Sequence, residues 1–241
     1  MGKVACIIPA RMDSSRFPGK PLEKLLGLEL LLHVYERCKL CRKIDRIIIA
    51  TCDKEIKELC EAKGSEVVMT SANHPGCVDR TQEAVSLVCD DLDGEDLVLM
   101  VQGDEVLISP GMIDEVIAVF RKSSQPIINL ASRISNQFDH DDPNIVKVAI
   151  SIEGRALFFS RAPIPSRSRE SLAPLFAQTG VIGFSRAFLD KFRNMPQSPL
   201  EKIEGIDMLR ALEHGYPIQI VTTETSIIGV DTLADKVRAE K

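Results

Sequence analysis

Short apolar runs alternate with helical patterns over the first part of the chain. Strands are predicted at residues 4–8, 46–51 and 66–69, and a helix pattern separates each strand from the next. Parallel strands need a crossover connection that is usually a helix, so this alternation is typical of a parallel sheet. The continuous apolar run at residues 97–101 fits a central strand buried on both faces. The sequence therefore predicts an α/β protein.

A basic loop follows the first predicted strand. Pro9 ends that strand, because proline cannot donate to a sheet ladder. The next residues hold three cations and a single acid; the cations are Arg11, Arg16 and Lys20. Open α/β sheets bind ligands at the carboxyl ends of their strands, and three cations at such a place suit a polyphosphate. An ordinary basic surface loop is the alternative, and its position after the strand leads us to favour phosphate binding.

Acidic residues follow the central strand. Asp104 and Glu105 come directly after Gln102-Gly103 at the end of that strand. A carboxylate at a strand tip suits a divalent metal, whereas a solvated turn is the alternative. We favour the metal, because Gly103 thins the backbone and the basic loop should lie nearby. Asp231, just before the closing helix, is either a second metal carboxylate or part of the helix start.

Length and composition limit the class of protein. The 241 residues suffice for one large α/β domain, and 44% of them are hydrophobic. The formal charge of -5 argues against a general binder of nucleic acids or membrane surfaces. No apolar run approaches the roughly 20 residues that a membrane helix needs, and the start lacks a signal-peptide layout. Seven cysteines without a regular framework indicate free thiols in a reducing compartment, so we expect a cytoplasmic protein.

The second half departs from the regular alternation. A hairpin is predicted around Glu153-Gly154. Residues 161–176 are rich in proline, serine and arginine and are interpreted as an insert that leaves the sheet. The acidic stretch at residues 138–143 is interpreted as a solvated loop. We expect a single domain over residues 1–241 with an insert at about 151–178.

A long helix is predicted near the end of the chain. Ser198 and Glu201 match a capping box, and apolar positions continue the pattern to His214. Within one helix, Glu204 and Asp207 would share a face because they lie three residues apart.

Five motifs of the chain occur together and in order. They are Pro9-Ala10-Arg11 with Ser15-Arg16 and Pro18-Gly19-Lys20-Pro21-Leu22, then Val101-Gln102-Gly103-Asp104-Glu105, Phe159-Ser160-Arg161-Ala162-Pro163-Ile164-Pro165, Ser198-Pro199-Leu200-Glu201 and Gly229-Val230-Asp231-Thr232. With these motifs the chain closely resembles the 3-deoxy-manno-octulosonate (Kdo) cytidylyltransferases, or CMP-Kdo synthetases, over nearly its whole length. The first motif is shared with other sugar nucleotidyltransferases, and the last three are more specific.

The resemblance implies a fold, an activity and an assembly. The fold is that of the nucleotide-diphospho-sugar transferases, a Rossmann-like α/β fold with a mixed, mostly parallel central sheet and a dimerisation insert around residues 160–165. The activity is that of a Mg²⁺-dependent nucleotidyltransferase, which joins CTP and Kdo into CMP-Kdo and pyrophosphate for lipopolysaccharide biosynthesis. The implied assembly is a homodimer.

The resemblance also implies roles for individual residues. The nucleotide-binding residues are Ala10, Arg11, Ser15, Arg16, Lys20 and Arg80, with the first five on the triphosphate loop and Arg80 at the cytosine. Lys20, Asp104 and Arg11 are the expected catalytic residues, and Asp104 and Asp231 the expected Mg²⁺ ligands. The expected sugar-binding residues are Gln102, Arg161, Gln178 and Asp207, with Arg161 at the sugar carboxylate.

Several residues depart from the family pattern. Gly76-Cys77-Val78 stands where the family has Ser-Gly-Thr, which removes two hydroxyls near the base, and Val106 replaces a proline. On the sugar side, Gln178 replaces a histidine, Ile182 a tyrosine and Asp207 a glutamate. We therefore hypothesise that the nucleotide chemistry is kept and the sugar differs. One candidate is 8-amino-3,8-dideoxy-manno-octulosonate, whose ammonium Asp207 could pair.

Two alternatives remain open. One is a CMP-transferase for another 2-keto-3-deoxy acid, such as a sialic-acid-like sugar. The other is a non-catalytic nucleotide-binding module on the same fold, against which the retained Lys20, Asp104 and Asp231 argue. A dehydrogenase is excluded, because no G-x-G-x-x-G motif follows the first strand.

Overall fold

The structure, a computed structural model, describes residues 2–14, 16–167, 174–227 and 229–240. Its strands are β1 (Val4–Pro9), β2 (Lys24–Leu25), β3 (Leu28–Glu29), β4 (Arg46–Thr51), β5 (Glu66–Met69), β6 (Leu97–Val101), β7 (Ile127–Ile134), β8 (Lys147–Ile150), β9 (Ala156–Ser160), β10 (Leu175–Ser185) and β11 (Ile218–Thr223). Its α-helices are α1 (Leu30–Lys39), α2 (Lys54–Ala62), α3 (Cys77–Val88), α4 (Pro110–Lys122), α5 (Gln137–Asp141), α6 (Arg186–Phe192), α7 (Pro199–Glu204), α8 (Asp207–Glu213) and α9 (Leu233–Ala239). A 3-10 turn spans Lys20–Leu22.

One mixed sheet organises the described residues. Its strand order is β11-β7-β10-β6-β1-β4-β5, and β8 and β9 extend it beside β10. β1 pairs in parallel with β4 and β6, β4 with β5, and β7 with β11. β10 is antiparallel to both β6 and β7. The predicted α/β fold with a mixed, mostly parallel central sheet is therefore confirmed, and the carboxyl ends of β1, β4 and β6 meet at one edge.

Helices cover both faces of this sheet, and each face has its own core. On one face α1, α2 and α4 contribute buried residues such as Leu31, Ile56 and Ile113. On the other face α3, α6 and α8 contribute Val85, Phe188 and Leu209. All residues of β1 and β6 are buried, as expected for central strands covered on both sides. The two central strands are thereby fixed, and the loops after them start from a rigid base.

The predicted long helix at residues 198–214 is wrong in one respect. The chain forms α7 and α8 instead, and Gly205 between them adopts a left-handed conformation with φ of 65°. Helix α7 begins at the predicted place, and Ser198 N donates to Glu201 Oε2 at 3.1 Å, which is one half of the predicted capping box. Ile203, placed by the pattern on the apolar face, is 78% exposed. Glu204 and Asp207 accordingly do not share a helical face, because the break separates them.

The acidic stretch near residue 140 also differs from the prediction. It contains the short helix α5, capped by the side chain of Asn136, instead of a solvated loop. Asp139 is buried and pairs with Arg238 at 3.2 Å. The negative charge of Asp139, which the local pattern predicted to be solvent-exposed, is therefore compensated by Arg238, 99 residues later in the chain.

The predicted hairpin around Glu153-Gly154 is formed by β8 and β9. Two parts of the expected insert, β9 and the start of β10, are strands of the main sheet. The rest of the insert is only partly covered, since residues 168–173 lie outside the described residues.

Two further expectations concern helices and thiols. In the part of the chain that the structure describes, no helix has the length and apolar character that crossing a membrane requires. All seven cysteines belong to that part and are free thiols. Cys38, from the C-x-x-C pair, is buried on α1 as predicted for a packing residue.

Candidate active site

A cleft of about 450 Å³ opens at the carboxyl edge of the sheet. Its volume lies within the range of small-molecule sites. The described residues that the sequence assigned to a site all line it: Ala10, Arg11, Arg16, Lys20, Arg80, Gln102, Asp104, Arg161, Gln178, Asp207 and Asp231. Ser15, the remaining one, lies outside the described residues. Segments from the whole length of the chain therefore converge on one cavity.

Lys20 joins the two candidate metal carboxylates. Its Nζ donates to Asp104 Oδ2 at 2.7 Å and to Asp231 Oδ1 at 2.9 Å. The second oxygen of Asp231 pairs with Arg16 Nη2 at 3.1 Å. The backbone supports this arrangement, because Val230 N donates to the carbonyl of Asp104 at 3.1 Å. The basic loop, the central strand tip and the segment before α9 thus form one charge cluster.

The strand tip reaches the basic loop because Gly103 has no side chain. A Cβ at this position would lie 3.1 Å from Leu31 Cδ1 and 3.3 Å from the carbonyl oxygen of Pro9. A side chain at this position would require the Leu31 side chain and the Pro9 carbonyl to move by a few tenths of an ångström. Gly103 therefore allows Asp104 to lie beside the loop that carries Lys20.

The charges of the cluster stabilise one another. Burial opposes the positive charge of Lys20, but the carboxylates of Asp104 and Asp231 outweigh burial and raise its pKa. Glu105 behaves differently: burial, followed by the nearby charge of Asp104, raises its pKa to about 8. Its Oε1 accepts a hydrogen bond from Gly180 N, and its Oε2 is buried with no hydrogen-bond partner among the described residues. At neutral pH Glu105 is therefore mostly protonated.

The donor set fits Mg²⁺ held together with a substrate. Mg²⁺ is commonly bound by one or two carboxylates, several waters and substrate phosphates. Asp104 and Asp231 already gather around one cation, the ammonium of Lys20. Within the described ranges, no group of three or more metal-ligating side chains could hold an ion unaided. The arrangement therefore suits a metal that arrives with a polyphosphate.

The start of α3 contributes Cys77, Val78 and Arg80 to the lining of the cleft. Arg80 is 3% exposed, and its Nη1 donates to Thr70 Oγ1 at 2.5 Å. Asp207 approaches the same helix, where its Oδ2 accepts from Val78 N at 3.0 Å. The sequence grouped Asp207 with the sugar, whereas this hydrogen bond connects it to the loop assigned to the base. Burial raises the pKa of the Cys77 thiol to about 12, so this thiol is not a reactive nucleophile at neutral pH.

Arg161 and Gln178 also line the cleft. The Nε of Arg161 donates to the carbonyl of Glu204 at 2.8 Å, and its Nη1 donates to the carbonyl of Pro143 at 3.0 Å. Gln178 Nε2 donates to Asn129 Oδ1 at 2.8 Å. These contacts fix the orientation of the Arg161 guanidinium and of the Gln178 amide.

Sequence reasoning missed the residues that hold the predicted ones in place. Asn144 accepts from Arg16 Nη1 at 2.6 Å, Asn129 supports Gln178, and Glu204 orients Arg161. Each pair is separated by more than 40 residues, so no local spacing could reveal it. Glu105 was visible as an acid after the central strand, but its buried, protonated state depends on contact with β10.

Comparison with known proteins gives consistent results. A family model described as Cytidylyltransferase matches residues 5–223. A protein of Thermodesulfovibrio yellowstonii named 3-deoxy-manno-octulosonate cytidylyltransferase is 41% identical over 246 aligned residues, which cover 98% of this chain and 96% of the relative. A Shewanella sediminis protein named 8-amino-3,8-dideoxy-manno-octulosonate cytidylyltransferase is 38% identical, with coverage of 96% and 95%.

Solved structures extend the comparison. A CMP:2-keto-3-deoxy-manno-octonic acid synthetase complexed with CTP superimposes with a TM-score of 0.88 at 30% identity, covering 99% of this chain and 97% of that one. The 4-diphosphocytidyl-2C-methyl-D-erythritol synthase of Anaerococcus prevotii superimposes with a TM-score of 0.65 at 16% identity, covering 99% and 97%. The second likeness concerns the fold alone.

Proposed function

The chain belongs to the cytidylyltransferase family and is a nucleotidyltransferase, and from this premise we propose that it transfers the cytidylyl group of CTP to Kdo or a close analogue. The anomeric hydroxyl of the sugar attacks the α-phosphorus, the bond between this phosphorus and the α–β bridging oxygen breaks, and pyrophosphate leaves while the hydroxyl proton passes to solvent. The observation that carries the proposal is the cluster of Lys20, Asp104 and Asp231 in the cleft.

The basic loop supplies the proposed triphosphate site. Arg11, Arg16 and Lys20 line one side of the cleft, and Lys20 is held on its acidic partners at hydrogen-bond distance. Fixed cations stabilise the charge that develops on the phosphate oxygens and the leaving group without reorganising during the reaction. Ala10 and Ser15 belong to the same proposed loop site.

Asp104 and Asp231 are the proposed Mg²⁺ ligands. Bound there, the ion would neutralise phosphate charge and lower the pKa of a coordinated hydroxyl. Within the chain, Lys20 pairs with both carboxylates and Arg16 pairs with Asp231, and these ion pairs hold the two aspartates close together. Lys20, Asp104 and Arg11 are accordingly the proposed catalytic residues.

The remaining cleft residues are assigned to the base and the sugar. Arg80 and the start of α3 are proposed to contact the cytosine. Arg161 is proposed to bind the carboxylate of the sugar acid, since its guanidinium is already oriented by two backbone carbonyls. Gln102, Gln178 and the second oxygen of Asp207 are proposed as further sugar contacts.

The assembly and the location are proposals as well. We expect one domain with an insert at about 151–178, which contributes to a homodimer through residues 160–165. The exposed apolar side chains of Ile152 and Leu157 on the adjoining hairpin support such a contact, since they are 107% and 64% exposed. The free thiols agree with a cytoplasmic location, and the sugar substrate places the product in lipopolysaccharide biosynthesis.

The function is tested by pyrophosphate release. Purified protein with Mg²⁺ and CTP is offered Kdo, its 8-amino analogue and a sialic acid at equal enzyme concentration. We expect release with Kdo or the amino analogue and none with Asp104→Asn. A clear preference for Kdo refutes the hypothesis of a variant sugar, and release only with the sialic acid supports the alternative substrate class. No release with any keto acid overturns the enzymatic proposal in favour of a nucleotide-binding module.

A further inference from the structure

Helix α3 begins without a cap of its own. Gly76 occupies the N-cap position and has no side chain that could accept from the first N–H groups of the helix. Asp207, 129 residues after Val78, fills this place, because its Oδ2 accepts from Val78 N at 3.0 Å. The first turn of α3 is thus capped by the first residue of α8.

The backbone conformation of Gly76 does not require glycine, but the position of the Asp207 carboxylate does. Gly76 has φ of -143° and ψ of 175°, an extended conformation that any residue adopts. A Cβ there would lie 2.2 Å from Asp207 Oδ1 and 2.3 Å from Oδ2. The carboxylate therefore occupies the space that a side chain of residue 76 would fill, and the two positions exclude each other.

The capped turn forms a wall of the active site. Cys77 and Val78 line the cleft, and Arg80, proposed to contact the cytosine, follows in the next turn. We propose that Asp207 is a positioning residue for the nucleotide: by capping α3 in place of the missing N-cap side chain, it fixes the helix start against the base. This inference rests on the proposed function, because its kinetic readout is the use of CTP.

The surroundings of Asp207 make the cap sensitive to pH. Burial raises the pKa of Asp207 to about 6; the acids Asp79 of α3 and Glu201 of α7 add to the rise, and Arg210 of α8 opposes it. Hydrogen bonds to an ionised acceptor are stronger than those to a neutral one. The cap is therefore strongest above about pH 6 and weakens as the carboxyl is protonated below it.

A reciprocal exchange tests the cap. Three variants are compared with the native enzyme: Asp207→Ala, Gly76→Ser and the double variant. Asp207→Ala removes the cap, and Gly76→Ser forces a side chain against the carboxylate. Each should raise KM for CTP by about fivefold, the ratio that corresponds to the free energy of about 1 kcal/mol that a helix cap usually contributes. In the double variant the introduced serine has room and can cap α3 itself, so we expect KM for CTP within about twofold of the native value.

Two further variants separate positioning from general stability. Asp207→Asn keeps an acceptor without a titrating group, so its KM for CTP should lose the rise that the native enzyme shows as pH falls through about 6. Ser185→Ala removes a comparable cap, the 3.2 Å bond to Phe188 N on α6, which lies outside the cleft. It should lower the melting temperature while leaving KM for CTP unchanged.

The outcomes distinguish this inference from the proposed function. The proposed positioning role of Asp207 is overturned if Asp207→Ala leaves KM for CTP unchanged. It is also overturned if KM for CTP in the double variant rises as much as the effects of the two single variants combined. If Gly76→Ser does not fold, Asp207→Ala and the double variant still decide. If the native protein releases no pyrophosphate, the proposed function fails, and rescue of the melting temperature in the double variant still tests the cap.

Discussion

Lys20 holds together two carboxylates from distant parts of the sequence. Its side chain is 12% exposed, and those of Asp104 and Asp231 are 20% and 26% exposed, so the three charges interact with only partial screening. Without the ammonium, the two aspartates would face each other as like charges. At the scale of single residues, the cluster depends on one cation.

Replacing Lys20 by methionine should reduce turnover strongly. The change Lys20→Met removes the cation that gathers Asp104 and Asp231 and that is proposed to bind the triphosphate, so we expect a loss in kcat on the order of 100-fold. Initial rates of pyrophosphate release at saturating CTP measure it. Lys24→Met is the matched control, because Lys24 is 65% exposed and its nearest acid is 3.9 Å away. Turnover within about threefold of native in Lys20→Met would contradict the assignment.

The buried acid Glu105 should make stability depend on pH. Its pKa is raised from 4.5 to about 8, first by burial and then by Asp104. Between these values the unfolded chain ionises while the folded protein keeps the proton, so the free energy of unfolding falls as pH rises and levels off above about 8. Glu105→Gln lacks this titration.

The comparison with Glu105→Gln isolates the effect. We expect the stability of the native protein relative to this variant to drop by a few kcal/mol between about pH 5 and 8, as measured by urea unfolding at each pH without Mg²⁺ or CTP. Parallel pH curves for the two proteins would show that Glu105 is ionised in the folded state.

At the scale of helices and strands, local signals determined what could be predicted. The start of α7 is visible in four consecutive residues, Ser198 to Glu201, and the helix begins there with a hydrogen bond from Ser198 N to Glu201 Oε2. The break at Gly205 was not predicted, because the apolar period continues through it and a single glycine inside a helical pattern is often tolerated. In the structure Gly205 is the left-handed C-cap of α7, and its N–H donates to the carbonyl of Glu201 at 2.7 Å.

A buried ion-pair network joins three of these helices. Arg210 of α8 pairs with Glu201 of α7 and, at 2.9 Å, with Asp79 of α3. Arg210 and Glu201 are 2% and 3% exposed. Removing the arginine leaves two acids without compensation in a buried place, which is more costly than losing the attraction alone.

Arg210→Met should therefore destabilise the protein by about 3 to 5 kcal/mol. Chemical denaturation measures the change. Arg186→Met serves as the control, since Arg186 forms a surface pair with Asp190 on one helix and such pairs contribute about 1 kcal/mol or less. Equal losses in the two variants would mean that the network adds nothing beyond an ordinary surface pair.

At the scale of the whole molecule, the strand order decides which residues meet. β10 lies between β6 and β7, so it brings Gln178 next to Asn129 and Gly180 next to Glu105. The sequence showed the residues of the charge cluster around Lys20, because each follows a strand or precedes a helix. It did not show the residues that hold the cleft side chains in place. Those contacts depend on β10, which comes late in the chain and lies antiparallel between β6 and β7, and local periodicity does not predict such a position.

Binding of the nucleotide should stabilise the whole fold. A ligand that binds only the folded state at about 100 times its Kd adds about 2.7 kcal/mol. We expect CTP with Mg²⁺ to raise the melting temperature by several degrees, and CTP with excess chelator to raise it much less, because Asp104 and Asp231 then repel the triphosphate. Lys20→Met should respond weakly in both conditions, and an equal shift with and without the metal would contradict the proposed ligands.

The bond from Val230 N to the carbonyl of Asp104 has a consequence for biosynthesis. Lys20 leaves the ribosome 211 residues before Asp231 does, so the nascent chain displays its basic loop for most of translation without the second aspartate. Domains generally fold as units, so the basic loop is expected to meet both acidic partners only after the segment around residue 230 has emerged. Catalytic competence is therefore gained when Asp231 joins the folded domain.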